Sequence, residues 1–172
     1  DNPVSVYAMH YREYFSDASI VLPQEMLGDH YIILAGRDHQ KNLKPSELVI
    51  VPAEDNTEIE ITPSVLTACG KEAGRPFRIK LNEGENYQLQ STHGGSAVKD
   101  EPDLTATEIR SVNGMPFAVF SGAKEAMTDP VKGMQNTLFD QNYPVSNWGA
   151  SYFVTPFEGQ GGDPVRIIAS DE

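Results

Sequence analysis

Glycine and proline punctuate this chain so closely that few windows are long enough for a helix. Fourteen glycines and twelve prolines are scattered through 172 residues. Inside a helix a glycine costs about 1 kcal/mol and a proline about 3 kcal/mol. The segments left between them are short and rich in β-branched and aromatic residues, which suit a pleated surface. The chain is therefore expected to be all-β, with nine or ten short strands packed as a two-sheet antiparallel sandwich. A propeller blade or a tandem β-repeat unit is the alternative architecture.

The strands can be placed by their side-chain rhythm. Residues 17–22 lead into a single turn, Pro23-Gln24-Glu25-Met26-Leu27-Gly28, where proline suits a first helical position and glycine the stop. Tyr31-Ile32-Ile33-Leu34 and Leu48-Val49-Ile50-Val51 are continuous apolar runs, the pattern of strands covered on both faces. Glu54-Asp55-Asn56-Thr57 is read as a hairpin link to Glu58-Ile59-Glu60-Ile61-Thr62, whose strict alternation predicts an edge or surface strand. Phe77 to Leu81 returns through Asn82-Glu83-Gly84-Glu85 to Tyr87-Gln88-Leu89-Gln90, with apolar residues at odd positions facing one core. Residues 105–111 and 117–122 form another pair around Asn113-Gly114, and residues 152–155 and 165–168 complete the set. Ser91 to Asp103 reads as an exposed Gly-rich loop, and Glu125 to Asn142 as a long connection or a broken helix.

Charge narrows the partners. Twenty-five acidic residues against thirteen basic ones leave a net charge of −12, a field that repels phosphate backbones and anionic lipid heads. Nucleic acid and direct membrane insertion are thus not expected, and no stretch approaches the ~20 apolar residues of a membrane span. Cys69 is the single cysteine, so there is no internal disulfide framework.

The chain also echoes itself. Leu22-Pro23-x-x-x-Leu27-Gly28-x-x-Tyr31-Ile32-Ile33 matches Tyr143-Pro144-x-x-x-Trp148-Gly149-x-x-Tyr152-Phe153-Val154 at a constant offset of 121 residues. Residues 48–55 and 164–171 echo each other at an offset of 116. A proline, a glycine and a tyrosine held in step point to duplication of a ~120-residue unit. Residues 1–142 are then expected to be one full β unit, and 143–172 the start of a second, truncated unit packed on the first. The opening Asp1-Asn2-Pro3-Val4 carries no basic or apolar leader pattern, so the chain is expected to derive from a longer protein.

Several blocks in order resemble a known family. They are Ser46 to Thr57, Leu81-x-x-Gly84-Glu85-x-Tyr87-Gln88-Leu89-Gln90, Asp103-Leu104-Thr105-x-Thr107-x-Ile109, Pro116 to Gly122, and Pro144-Val145-Ser146-x-Trp148-Gly149. Together they resemble the amino-terminal region of IgGFc-binding proteins over roughly residues 15 to 170. The resemblance implies secreted or cell-surface proteins, including bacterial surface relatives of adhesive or structural character. It transfers no catalytic or ligand residues.

Chemistry-bearing constellations are sparse. There is no Gly-x-Ser-x-Gly turn, and His10, His30, His39 and His93 stand apart from one another and from Cys69, unlike the short ligand spacings of a zinc site. Most acids alternate outward on strands, as Glu58 and Glu60 do, or sit in turns. Asp100, Glu101 and Asp103 form the densest acidic loop and are the candidate calcium ligands, although their spacing matches no defined calcium loop. No other cofactor is expected. Trp148, Tyr143 and Tyr152 are the candidate ligand-binding aromatics. Trp148 takes the place of Leu27 in the echo, which favours a core role for it.

The expected function is a non-catalytic extracellular or cell-surface binding or adhesion module, with a protein or glycan partner. The alternative is a carbohydrate-binding accessory domain or a fragment of a glycan-active enzyme.

Overall fold

A computed structural model describes residues 2–36, 44–92, 102–129, 134–155 and 165–170. Ten strands are present among them. β1 (Val6–Arg12) and β2 (Phe15–Val21) form a two-stranded hairpin. The front sheet contains β10 (Met134–Gln141), β9 (Phe117–Asp129), β4 (Ser46–Pro52) and β7 (Tyr87–Gln90), in that order. The back sheet contains β3 (His30–Ile32), β8 (Glu108–Ser111), β5 (Thr57–Thr62) and β6 (Phe77–Leu81), in that order. All pairings are antiparallel. The expected all-β sandwich is the observed fold.

The core lies between the two sheets. Leu48, Ile50, Leu89, Phe117 and Val119 come from the front sheet, and Tyr31, Ile59, Ile61, Leu81 and Ile109 from the back. Each such side chain contributes about 1.5–3 kcal/mol on burial, against about 1 kcal/mol for a typical hydrogen bond. Apolar packing therefore dominates the fold, and polar contacts select its geometry.

The three links expected to close hairpins cross between the sheets instead. β4 pairs with β9 and β7, whereas β5 pairs with β6 and β8. The links β4–β5, β6–β7 and β8–β9 thus each arch from one sheet to the other. β5 is accordingly an internal strand and not an edge. Four extended residues span more than the ~10 Å between packed sheets, so the short links can make the crossing. Each arch contains one left-handed residue: Asn56 (φ 60°), Gly84 (φ 83°) and Gly114 (φ 74°). The arches are also stitched together. Asn82 Oδ1 accepts from Asn56 N at 3.1 Å, Asp55 Oδ1 from Glu83 N at 3.1 Å, and Asn113 Nδ2 donates to Asn56 O at 2.9 Å.

Two apolar runs differ from expectation in their covering. Tyr31 and Ile33 are buried, but Leu34 is exposed and Ile32 is half-buried. On β4, Leu48 and Ile50 are buried while Val49 and Val51 are half-buried. A run of apolar residues hides which face is the deeper one.

Most of the stretch from Glu125 to Asn142, expected as a connection or broken helix, is strand. β9 and β10 pair antiparallel from Gln141↔Phe120 to Met134↔Asp129, with register shifts between Met134 and Gln135 and between Asn136 and Leu138. Those irregularities erase the period-two signal that would have revealed the strands. Gly122 sits where a Cβ would lie 1.8 Å from Leu138 O, so only glycine permits this backbone approach. Residues 152–155 and 165–168, expected as strands, carry no ladder pairing. Most of the loop expected from Ser91 to Asp103 lies outside the described residues. At its ends, Ser91 is buried and pairs with Ser46, and Asp103 is half-buried.

The echoing segments share one local structure. Pro23 and Pro144 precede 3-10 turns (Gln24–Met26 and Val145–Asn147) with φ/ψ of −64°/154° and −63°/151°. Leu27 and Trp148 follow at −73°/154° and −75°/144°. Gly28 N donates to the Tyr31 hydroxyl at 3.1 Å, and Gly149 N to the Tyr152 hydroxyl at 2.7 Å.

Candidate functional site

A concavity lies on the outer surface of the front sheet. It is an open groove of about 350 Å3, lined by His10, Glu47, Val49, Lys124, Thr137 and Phe139 among others. Strand alternation builds it from the sequence. β4 turns Leu48 and Ile50 inward, which leaves Glu47 and Val49 outward. On β9, Phe117 and Val119 point inward, so Phe120, Gly122 and Lys124 fall on the opposite phase.

The Phe139 ring lines it. Phe120 and Phe139 stack with centroids 5.4 Å apart and an interplanar angle of 7°, as diagonal neighbours across β9 and β10. His10 meets Phe139 edge-on at 4.5 Å, so the N-terminal hairpin supplies one wall. Glu47 reaches Gln88 Nε2 at 2.9 Å. Lys124 is exposed at the rim, giving the groove one carboxylate and one ammonium beside an apolar floor.

The hairpin is held against the sheet by side chains in place of a ladder. Asn136 accepts from Ser16 N at 3.0 Å and donates to Ser16 O at 2.7 Å. Asp17 Oδ2 accepts from Phe139 N at 2.6 Å, and Gln141 Oε1 from Leu22 N at 2.7 Å. β2 and β10 therefore run side by side in the same direction. The hairpin's far side carries Tyr7, Met9 and Tyr11, all largely exposed.

The aromatics singled out in the sequence lie elsewhere, around the second 3-10 turn. Tyr143 and Tyr152 are exposed. Trp148 is half-buried, not a core plug, and its Nε1 donates to Tyr143 O at 3.1 Å. Trp148 sits at the stop of a surface turn, and Leu27, its counterpart, is half-buried for the same reason. Phe120, Phe139 and His10 were not singled out from sequence. The outward phase of Phe120 beside Phe117 and Val119 was the available signal; Phe139 was hidden by the bulged register.

The acidic candidates separate. Asp100 and Glu101 lie outside the described residues. Asp103 Oδ1 accepts from Thr105 N at 2.9 Å and from Thr105 Oγ1 at 2.7 Å, while its Oδ2 accepts from Arg166 at 2.9 Å. That carboxylate anchors residues 165–170 to the first part of the chain, where Arg166 also bonds Ala35 O and Thr105 Oγ1. Among the described residues there is no group of three or more His, Cys, Asp or Glu able to hold a metal.

Other acids are engaged along the strands. Glu60 pairs with Arg78 at 2.8 Å, Glu58 with Lys80 at 3.8 Å, and Glu108 with both His30 at 3.0 Å and Arg110 at 2.7 Å. Glu125 is buried on β9 and pairs with Lys44. Cys69 is exposed; a hydrogen bond with the Thr67 hydroxyl draws its thiol below the ordinary value. No helix among the described residues is long and apolar enough to cross a membrane.

A two-sheet β module with a broad, shallow aromatic groove has the build of a binding domain. The family model for IgGFc binding protein matches residues 17–172, and the chain belongs to that family. No curated protein and no solved structure matches it.

Proposed function

We propose that this chain is a non-catalytic extracellular or cell-surface module that binds a protein partner through the groove between β4, β9 and β10. The observation that carries the reading is the Phe139 ring in the groove, backed by its stack on Phe120, walled by His10 and rimmed by Glu47 and Lys124. Aromatic platforms with a sparse charged rim are the usual anchors of protein interfaces. The family, named for an antibody-binding protein, supports binding over catalysis. The ion pairs of Glu58, Glu60 and Glu108 on the back sheet support reading those acids as solvated strand faces.

The test is a binding screen against immobilised antibody Fc, an extracellular protein panel and a glycan array. The reading expects a protein hit weakened at least ~10-fold by Lys124→Glu or by Phe139→Ala, with the Lys124→Glu melt unchanged. A hit indifferent to both variants overturns it. A glycan hit abolished by Trp148→Ala moves the site to the second turn and favours a carbohydrate-binding domain.

A further inference from the structure

The first 3-10 turn has an occupant that the second lacks among the described residues. Beside Gly28 and Tyr31 lies the start of β9. The Tyr31 hydroxyl donates to Phe117 O at 2.5 Å, Phe117 N donates to Gly28 O at 3.1 Å, and the two rings sit 4.8 Å apart. Tyr31 is fully buried beneath Phe117, and Ile33 is fully buried as well.

The second turn reproduces this seat and leaves it open. Gly149 N already donates to the Tyr152 hydroxyl. Among the described residues, neither the Tyr152 hydroxyl proton nor the Gly149 carbonyl has a hydrogen-bond partner. Tyr152 is 72% exposed and Val154, the counterpart of Ile33, 63% exposed.

The likeness extends beyond the turns. Each turn follows the second strand of an antiparallel hairpin, β1–β2 in one case and β9–β10 in the other. The two turns also abut: Asn147 Nδ2 donates to Met26 O at 2.9 Å, and a Cβ on Gly28 would lie 2.6 Å from Pro144 Cβ. A whole block of hairpin, turn and tyrosine is therefore present twice, seated once.

We propose that the Tyr152 turn is a docking seat for a β-strand of a second unit built like this one, lying further along the same polypeptide. The seated copy dictates the chemistry. The incoming strand offers a carbonyl to the Tyr152 hydroxyl, an amide to Gly149 O, and a large apolar side chain to the Tyr152 ring. It also dictates the source. Tyr31 precedes its covering residue by 86 positions in the same chain, and the duplicated block would take its strand at a like spacing. Docking in this way would bury Tyr152 and Val154 and couple successive units through their turns.

Tyrosine nitration read by mass spectrometry tests this on the full-length polypeptide and on the 172-residue chain. Tyr31 serves as the protected reference in both. The expected result is a rate at Tyr152 at least ~10-fold lower in the full-length protein, with Tyr152→Phe lowering the melting temperature of the downstream unit alone. Equal reactivity in both proteins overturns the proposal, as does a downstream unit indifferent to Tyr152→Phe or a full-length polypeptide with no such strand. Concentration-dependent protection in the 172-residue chain also overturns it, because a second copy would then be the occupant.

Discussion

The Tyr31 hydroxyl sits between two backbone groups, donating to the Phe117 carbonyl at 2.5 Å while accepting from the Gly28 amide at 3.1 Å. This tie joins the turn before β3 to the first residue of β9, and so one sheet to the other. Burial raises the hydroxyl's pKa to about 12, which keeps it a donor throughout the working range of a protein.

Replacing Tyr31 by Phe keeps the ring and strands both backbone groups. The Tyr31→Phe change is expected to cost about 1–3 kcal/mol in urea unfolding, the usual loss for unsatisfied buried partners. Tyr152→Phe in the same chain is expected to stay within about 0.5 kcal/mol, since that side chain is exposed. Equal effects at the two positions would contradict this account of Tyr31.

Gly122→Ala is expected to be among the most damaging single substitutions. Its Cβ would strike a backbone oxygen of β10 and not the end of a flexible side chain. The cost should reach the upper end of the ~1–3 kcal/mol seen for overpacking. Thermal melting measures it, and a wild-type melt would refute the close approach.

Asn113→Ala removes a side chain that donates to Asn56 O and accepts from Glu58 N at 3.2 Å. Both groups lie near solvent, so the loss should be about 0.5–1.5 kcal/mol. Hydrogen exchange should accelerate at residues 54–58 before it does in the core strands. Uniform acceleration would mean that the arches are not separately held by this side chain.

Asp140 gives a pH signature. Desolvation chiefly, and then the charge of Asp17, raises its carboxyl pKa above the ordinary 3.8, opposed by the Gln141 amide bond. The folded state thus holds the proton to higher pH than the unfolded chain. Its contribution favours folding below this window and is lost as pH rises through it. Asp140→Asn should flatten that slope and stabilise the protein at pH 7. The side chain remains open to solvent, so screening limits the gain to less than about 0.5 kcal/mol. A steeper slope in the variant would reverse the assignment.

On the alternating strands, which side chains face inward was legible from the sequence. Ile59 and Ile61, Leu81 and Leu89 all lie in the core, as their odd positions required. The 3-10 turn after Pro23 and its counterpart after Pro144 were equally legible, because proline and glycine impose local geometry. Which strand lies beside which was not legible. A period of two specifies a face and carries no information about the neighbour, so Asp55-Asn56 and Asn113-Gly114 served equally well for a hairpin or for an arch.

The groove needed the tertiary structure altogether. Phe120 and Phe139 stack because β9 and β10 pair, and the bulges further along that ladder hide β10 in the linear pattern. His10 joins them because Asn136, Asp17 and Gln141 hold the hairpin at β10 by side-chain bonds. Local propensities and periodicity are short-range properties of the chain and determine turns and inward faces. Sheet partners and the groove arise from contacts between residues far apart in sequence, which only the closed fold brings within reach.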